Sequence, residues 1–199
     1  SGLLATDYKT GVPAQAKTDP NFPWFGSDVK LQADYTLNNL KLLLEDSGSS
    51  LDDVVKASIY MLDLKDYFQF NEVWQKYFPK NRPAQTVVEV RREGSCWGQG
   101  LLGSKGDLME IDVVAVAPKE GFKKRVIPVE NLPTPPDNHS LAVRAGDFVF
   151  TTGLVATDYK TGIPSEARTD PSFPWFGSDI KLQTRYVLNQ LKSILKNAG

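Results

Sequence analysis

Three groups of residues in this chain are of types that do chemistry. Glu110 and Asp112 lie in a stretch where Ile111, Val113 and Ala115 alternate with Glu110, Asp112 and Val114, so a period of two puts both carboxylates on one strand face, opposite the apolar one. A carboxylate there serves as a general base when partial burial lifts its pKa toward working pH; otherwise it is a solvated or ion-paired surface acid. His139 is the one histidine of the chain, and its type suits proton exchange near neutrality, although a lone histidine is more often structural or on the surface. Cys96 is also single and has no histidine near it in sequence, so it reads as a loop thiol rather than a nucleophile.

The elements that position these residues belong to a repeated unit. Gly2-Leu3-Leu4-Ala5-Thr6-Asp7-Tyr8-Lys9-Thr10-Gly11 recurs as Gly153-Leu154-Val155-Ala156-Thr157-Asp158-Tyr159-Lys160-Thr161-Gly162, and the match runs without a gap to Gly48 and Gly199, with 31 of 47 positions identical at an offset of 151. That period is several times the roughly 20 to 50 residues of solenoid units and fits a whole domain. Residues 1–118 read as a first copy lacking its N-terminal strands, the proline-rich 119–136 as a linker, and 137–199 as a second copy lacking its C-terminal half. Either the parent is longer, or residues 49–199 form a permuted domain.

Within the copy, Val55, Ala57, Ile59 and Met61 alternate with Lys56, Ser58 and Tyr60 as in a half-buried strand. Phe70, Val73, Trp74, Tyr77 and Phe78 form one helical stripe after Asp66, closed by Pro79. Thr86, Val88 and Val90 alternate with Gln85, Val87 and Glu89 in a second strand, and the carboxylate segment makes a third. Glu93 to Asp107, glycine-rich and holding Cys96, Trp97 and Leu101, reads as a lid. Leu141 to Ala145 and Phe148 to Thr152 flank Gly146-Asp147 as a hairpin. Ser27 and Ser178 are N-cap candidates for the paired helices. Phe22-Pro23-Trp24-Phe25-Gly26 and Phe173-Pro174-Trp175-Phe176-Gly177 lie on long loops, as loop anchors or as a wall for a flat ligand.

Composition excludes some functions. Of 199 residues, 41% are hydrophobic and 24% charged, with 23 Lys and Arg against 24 acids, so no basic footprint for nucleic acid is present. No apolar run approaches the roughly 20 residues of a membrane-spanning helix. One cysteine allows no internal disulfide and suits a reducing compartment, with cytoplasm as the default.

The order strand, strand, helix, strand, helix, strand, strand, taken with Val55-Lys56-Ala57-Ser58-Ile59-Tyr60-Met61-Leu62-Asp63-Leu64, Phe70-Asn71-Glu72-Val73-Trp74, Arg82-Pro83-Ala84-Gln85-Thr86-Val87-Val88-Glu89-Val90, Met109-Glu110-Ile111-Asp112 and Phe150-Thr151-Thr152-Gly153, resembles the RidA/YjgF family. The resemblance implies an α+β, chorismate-mutase-like β-β-α-β-α-β-β domain in tandem copies. It also implies trimeric-type packing, giving a homo-oligomer of trimeric or pseudo-hexameric form with sites in clefts between neighbouring domains. The family's deaminases hydrolyse small imines and enamines without metal or organic cofactor. By the resemblance, Glu110 directs water and His139 stands in for a first-strand tyrosine as proton donor. Thr152, beside Gly153, replaces a serine near the substrate, and Trp175 belongs to a candidate wall. The family's carboxylate-gripping Arg and its Cys fall on Gln85 and Val87. A neutral amide gives a weaker, uncharged grip than a guanidinium, which argues against a 2-imino acid substrate. The alternatives are a catalytically silent small-molecule binder or scaffold that kept the fold, and a ribonuclease, a label carried by some relatives and opposed by the composition.

Overall fold

The computed structural model describes residues 2–90, 102, 106–137, 139–173, 175 and 177–199. Most of the segment read as a lid, including Cys96, Trp97 and Leu101, lies outside them.

A four-stranded mixed sheet is built from β1 (Leu3–Leu4), β2 (Val54–Met61), β3 (Ala84–Glu89) and β4 (Met109–Ala115) in the order β1-β4-β2-β3. β2 runs parallel to β3 and antiparallel to β4. The parallel β2–β3 pair needs a crossover, supplied by α2 (Tyr67–Tyr77), whose apolar stripe buries Phe70, Val73 and Trp74. α1 (Asp28–Asp46) lies beside it and buries Val29, Ala33, Leu37 and Leu40 against the same core. Ala57, Ile59 and Met61 of β2 and Met109 and Ile111 of β4 complete that core. The helices therefore cover one face of the sheet, leaving Lys56, Ser58, Tyr60, Glu110 and Asp112 on the other. Val55 departs from the expected alternation: the register shifts between Val54 and Lys56, and Val55 joins a separate cluster with Ala84, Val143 and Ala145.

A three-stranded antiparallel sheet, β5 (Lys124–Ile127), β6 (Ala142–Ala145) and β7 (Phe148–Thr151), follows. β5 lies within the stretch read as a linker, where Val126 and Ile127 find apolar cover that composition does not reveal. The β6–β7 turn is the expected Gly146-Asp147; Gly146 has φ +57, and a Cβ there would strike the Phe122 ring. α3 (Asp179–Ala198) packs on β6 through Ile194 and Ala198, and Arg144 donates to the Ala198 carbonyl at 2.8 Å, a cation at a helix C-terminus. The Ser27 side chain caps α1 by accepting from the Lys30 amide at 3.3 Å, while Ser178 begins α3 without a side-chain cap bond.

The two sheets meet at the edge of β3. Ala84 bridges Ser140 in parallel, the Gly153 amide donates to the Gln85 carbonyl at 3.1 Å, and Lys56 Nζ reaches the Thr151 carbonyl at 2.6 Å. The first copy's last strands and the second copy's first hairpin thus share one seam. No helix among the described residues is long and apolar enough to cross a membrane.

Candidate functional site

His139 lies at this seam, in the extended approach to β6. Two residues before it stands Asp137, and its Oδ1 is 2.8 Å from His139 Nδ1. The partners are two residues apart, so the pair is made locally. Its fixing is long-range. The Tyr67 hydroxyl, from the start of α2, donates to Asp137 Oδ2, and Arg82 Nη1 donates to the Asp137 carbonyl. Arg82 also donates from Nε to the Phe78 carbonyl at 3.0 Å, and the Ser140 hydroxyl donates to the Arg82 carbonyl. The side chains of His139 and Asp137 keep only 13% and 9% exposure.

Burial alone would raise the Asp137 carboxyl, but hydrogen bonds from His139 and Tyr67 outweigh it and hold the group at about 2. Burial, reinforced by the Asp137 charge, pushes the Tyr67 hydroxyl far above the ordinary phenol range. Tyr159, on the loop after β7, is raised by burial and then by the charge of Asp137, so it too faces the carboxylate.

Gln85 is the third wall. Its register opposite Ala57 points it to the helix-covered side, where it is buried next to Tyr67. Its carbonyl accepts from the Thr152 hydroxyl as well as from the Gly153 amide, and a Cβ on Gly153 would crowd Thr86. Two buried polar atoms here, Gln85 Nε2 and His139 Nε2, have no hydrogen-bond partner among the described residues. A buried orphan donor or acceptor costs about 1–3 kcal/mol, which a bound molecule would recover.

The structure thus brings His139, Gln85, Thr152 and Gly153 together. Val87 shares Gln85's face of β3 and packs against the main core. Glu110 is elsewhere. It stands opposite Tyr60, itself opposite Val88, whereas Gln85 stands opposite Ala57. That is three residues along and two strands across, about 10 Å each way, and on the other sheet face. Glu110 instead packs beside Gly2, where a Cβ would collide with its carboxylate. Burial first, then the neighbouring Asp112, raises its pKa. Trp175 is 73% exposed, as is its twin Trp24. Reasoning from sequence missed Asp137, Tyr67, Arg82 and Tyr159; only the acid two residues before the sole histidine was a usable signal. No group of three or more potential metal ligands occurs among the described residues.

Comparison with known proteins agrees with this fold. A family model described as Endoribonuclease L-PSP matches residues 11–117. A RutC family protein of Pyrococcus abyssi is 45% identical over 65 residues, 33% of this chain and 51% of that protein. The 2-iminobutanoate/2-iminopropanoate deaminase of Salmonella typhimurium is 32% identical over 95 residues, 46% of this chain and 65% of that protein. The crystal structure of a YjgF/YER057c/UK114 family member from Mycobacterium tuberculosis matches with 25% identity and a TM-score of 0.41, covering 58% of this chain and 74% of that one. The chain spans about half to two thirds of the length of the first curated relatives it matches.

Proposed function

Because the chain belongs to the L-PSP family that includes the RidA and YjgF proteins, we propose that it is a Rid-like hydrolase acting on a small imine, enamine or related unsaturated nitrogen compound. Water adds to the C=N carbon, a proton reaches nitrogen, and the C–N bond breaks to leave a carbonyl product and ammonia. The observation that carries this reading is His139: its Nε2 is buried with no partner among the described residues, Asp137 steadies the ring, and Gln85 and Thr152 bond to each other across the same seam. An imidazole so placed can pass a proton to or from substrate nitrogen or carbon. Glu110, with its raised pKa, directs water in a second cleft beside Gly2. The two residues serve separate half-sites: that of His139 is closed by the two copies of one chain, and that of Glu110 is completed by a neighbouring domain in a trimeric or pseudo-hexameric homo-oligomer. Residues 1–118 and 137–199 act as the two copies, the setting is cytoplasmic, and the partner is a small molecule rather than nucleic acid or membrane.

The test is ammonia release from imines formed in the assay from small ketones or aldehydes. His139→Ala and Glu110→Ala should each lower turnover by about a hundredfold or more, with the circular dichroism spectrum unchanged. Turnover indifferent to both substitutions would end the proposal. The second reading, a silent binder, is favoured by the neutral Gln85 and by the separation of Glu110 from His139; under it ligands raise the melting temperature and no ammonia forms.

A further inference from the structure

The unpaired atoms at the seam specify more than a reaction. We propose that this cleft selects an uncharged ligand carrying a carbonyl next to an N–H, with Gln85 Nε2 donating to the carbonyl and His139 Nε2 accepting from the N–H. Asp137 is the positioning residue that makes the histidine an acceptor. The inference rests on the seam being the reactive cleft.

An ionised carboxylate can only accept. With Asp137 Oδ1 at 2.8 Å from Nδ1, the ring proton belongs on Nδ1, and the neutral imidazole then turns a lone pair outward from Nε2. The second carboxylate oxygen is taken by Tyr67, so the carboxylate cannot swing away without losing that bond. Gln85 turns its amide toward the same hydroxyl without a bond of full geometry, which leaves at least one N–H for a ligand. At the main chain, Ala84 bridges Ser140 in parallel, which places Gln85 one residue after the bridge and His139 one residue before it, on the same face of the seam. One donor and one acceptor therefore stand on one face of the seam beside the Tyr67–Asp137 bond, the complement of a cis amide, a lactam or an enaminone.

Charge argues the same way. Among the described residues, the histidine is paired with Asp137, and the charged and titratable groups around that pair are Tyr67, Tyr159 and Arg82. Arg82 is turned away, with Nε and Nη1 on the Phe78 and Asp137 carbonyls. A ligand carboxylate would meet the Asp137 charge with no free guanidinium to offset it.

Because His139 is the sole histidine, its tautomer is directly readable by long-range nitrogen–proton NMR of nitrogen-15-labelled protein, at the alkaline end of a pH series where the ring signals no longer move. Expected is a protonated Nδ1 and a bare Nε2; the reverse overturns the proposal. The probe is 2-pyrrolidinone, whose ring holds C=O and N–H cis. It should shift the Nε2 signal and bind at least tenfold more tightly than propanoate, which is charged, and than N-methyl-2-pyrrolidinone, which lacks the donor. Equal binding of all three, or none by the lactam, overturns it. Asp137→Asn should move the proton to Nε2 and abolish the lactam preference. Should that variant not fold, the unmutated chain's tautomer and the three-probe series decide. Lactam selectivity without ammonia release would sink the hydrolase reading and leave this one; ammonia release with propanoate preferred would do the reverse.

Discussion

Residues 2–48 and 153–199 carry nearly the same sequence and meet different neighbours. In the first copy α1 turns Val29, Ala33, Leu37 and Leu40 onto the sheet and α2. In the second copy, α3 leaves the matching Ile180 and Leu188 at 71% and 56% exposure and buries Ile194, whose twin Leu43 is 51% exposed. The two helices present different stripes to their cores. A helix sequence thus offers more than one apolar face, and the strand-helix-strand unit over residues 54–115 selects which is buried. The loops behave in the opposite way. Asp7 accepts from Lys9 and Thr10, Asp158 accepts from Lys160 and Thr161, and Tyr8 and Tyr159 share positive φ of 59 and 60. What a loop closes by itself is repeated; what a helix packs against is not.

The largest expected effect comes from the helix stripes. Leu37→Ala should cost about 3 kcal/mol in urea unfolding, whereas Leu188→Ala, at the same place in the repeat, should cost less than about 0.5 kcal/mol. Equal losses would mean that the α3 stripe is covered in solution.

Next is acid sensitivity at the seam, where the depressed carboxyl is largely buried rather than on the surface as Asp7 is. Asp137 sits at about 2 in the fold against an ordinary 3.8. A depressed carboxyl contributes stability that is present above pH 4 and lost as pH falls from 4 toward 2, worth about 1–2 kcal/mol after partial screening. Asp137→Asn should flatten that part of the stability profile, read by melting temperature from pH 5 down to 2.

A smaller contrast is chemical. Tyr8 is 77% exposed, while Tyr159 is half-buried at Asp137. Tetranitromethane should nitrate Tyr8 several-fold faster, located by peptide mass, and equal rates would erase this difference between the copies. The least difference is expected in the loops: Asp7 and Asp158 should each titrate near 2 by carbon-13 NMR, held down chiefly by Thr10 and Thr161. A gap of more than about one unit would show that the setting reaches into the loop after all.

The alternations of β2 and β4, the stripe of α2 and the Gly146-Asp147 turn were legible in sequence because period and turn chemistry are local. The repeat was legible for the same reason. β5 was not, because its partner β6 and its apolar cover come from elsewhere in the chain. At the site, His139, Gln85 and Thr152 were legible by resemblance. Tyr67 and Arg82 were hidden, since their bonds to Asp137 span 70 and 55 residues and no spacing rule announces them. Glu110 and His139 lie apart within one chain, on different sheet faces, so the expectation of clefts between neighbouring domains asks a second domain to complete the Glu110 side.

A cleft formed between separate molecules empties as protein is diluted. The seam has Gln85 on one wall and His139 and Thr152 on the other, all on a single covalent chain, so each wall sees the other at the millimolar effective concentration typical of short tethers. This half of the chemistry should hold its specific activity at nanomolar protein, where the half served by Glu110, if a second molecule completes it, falls silent.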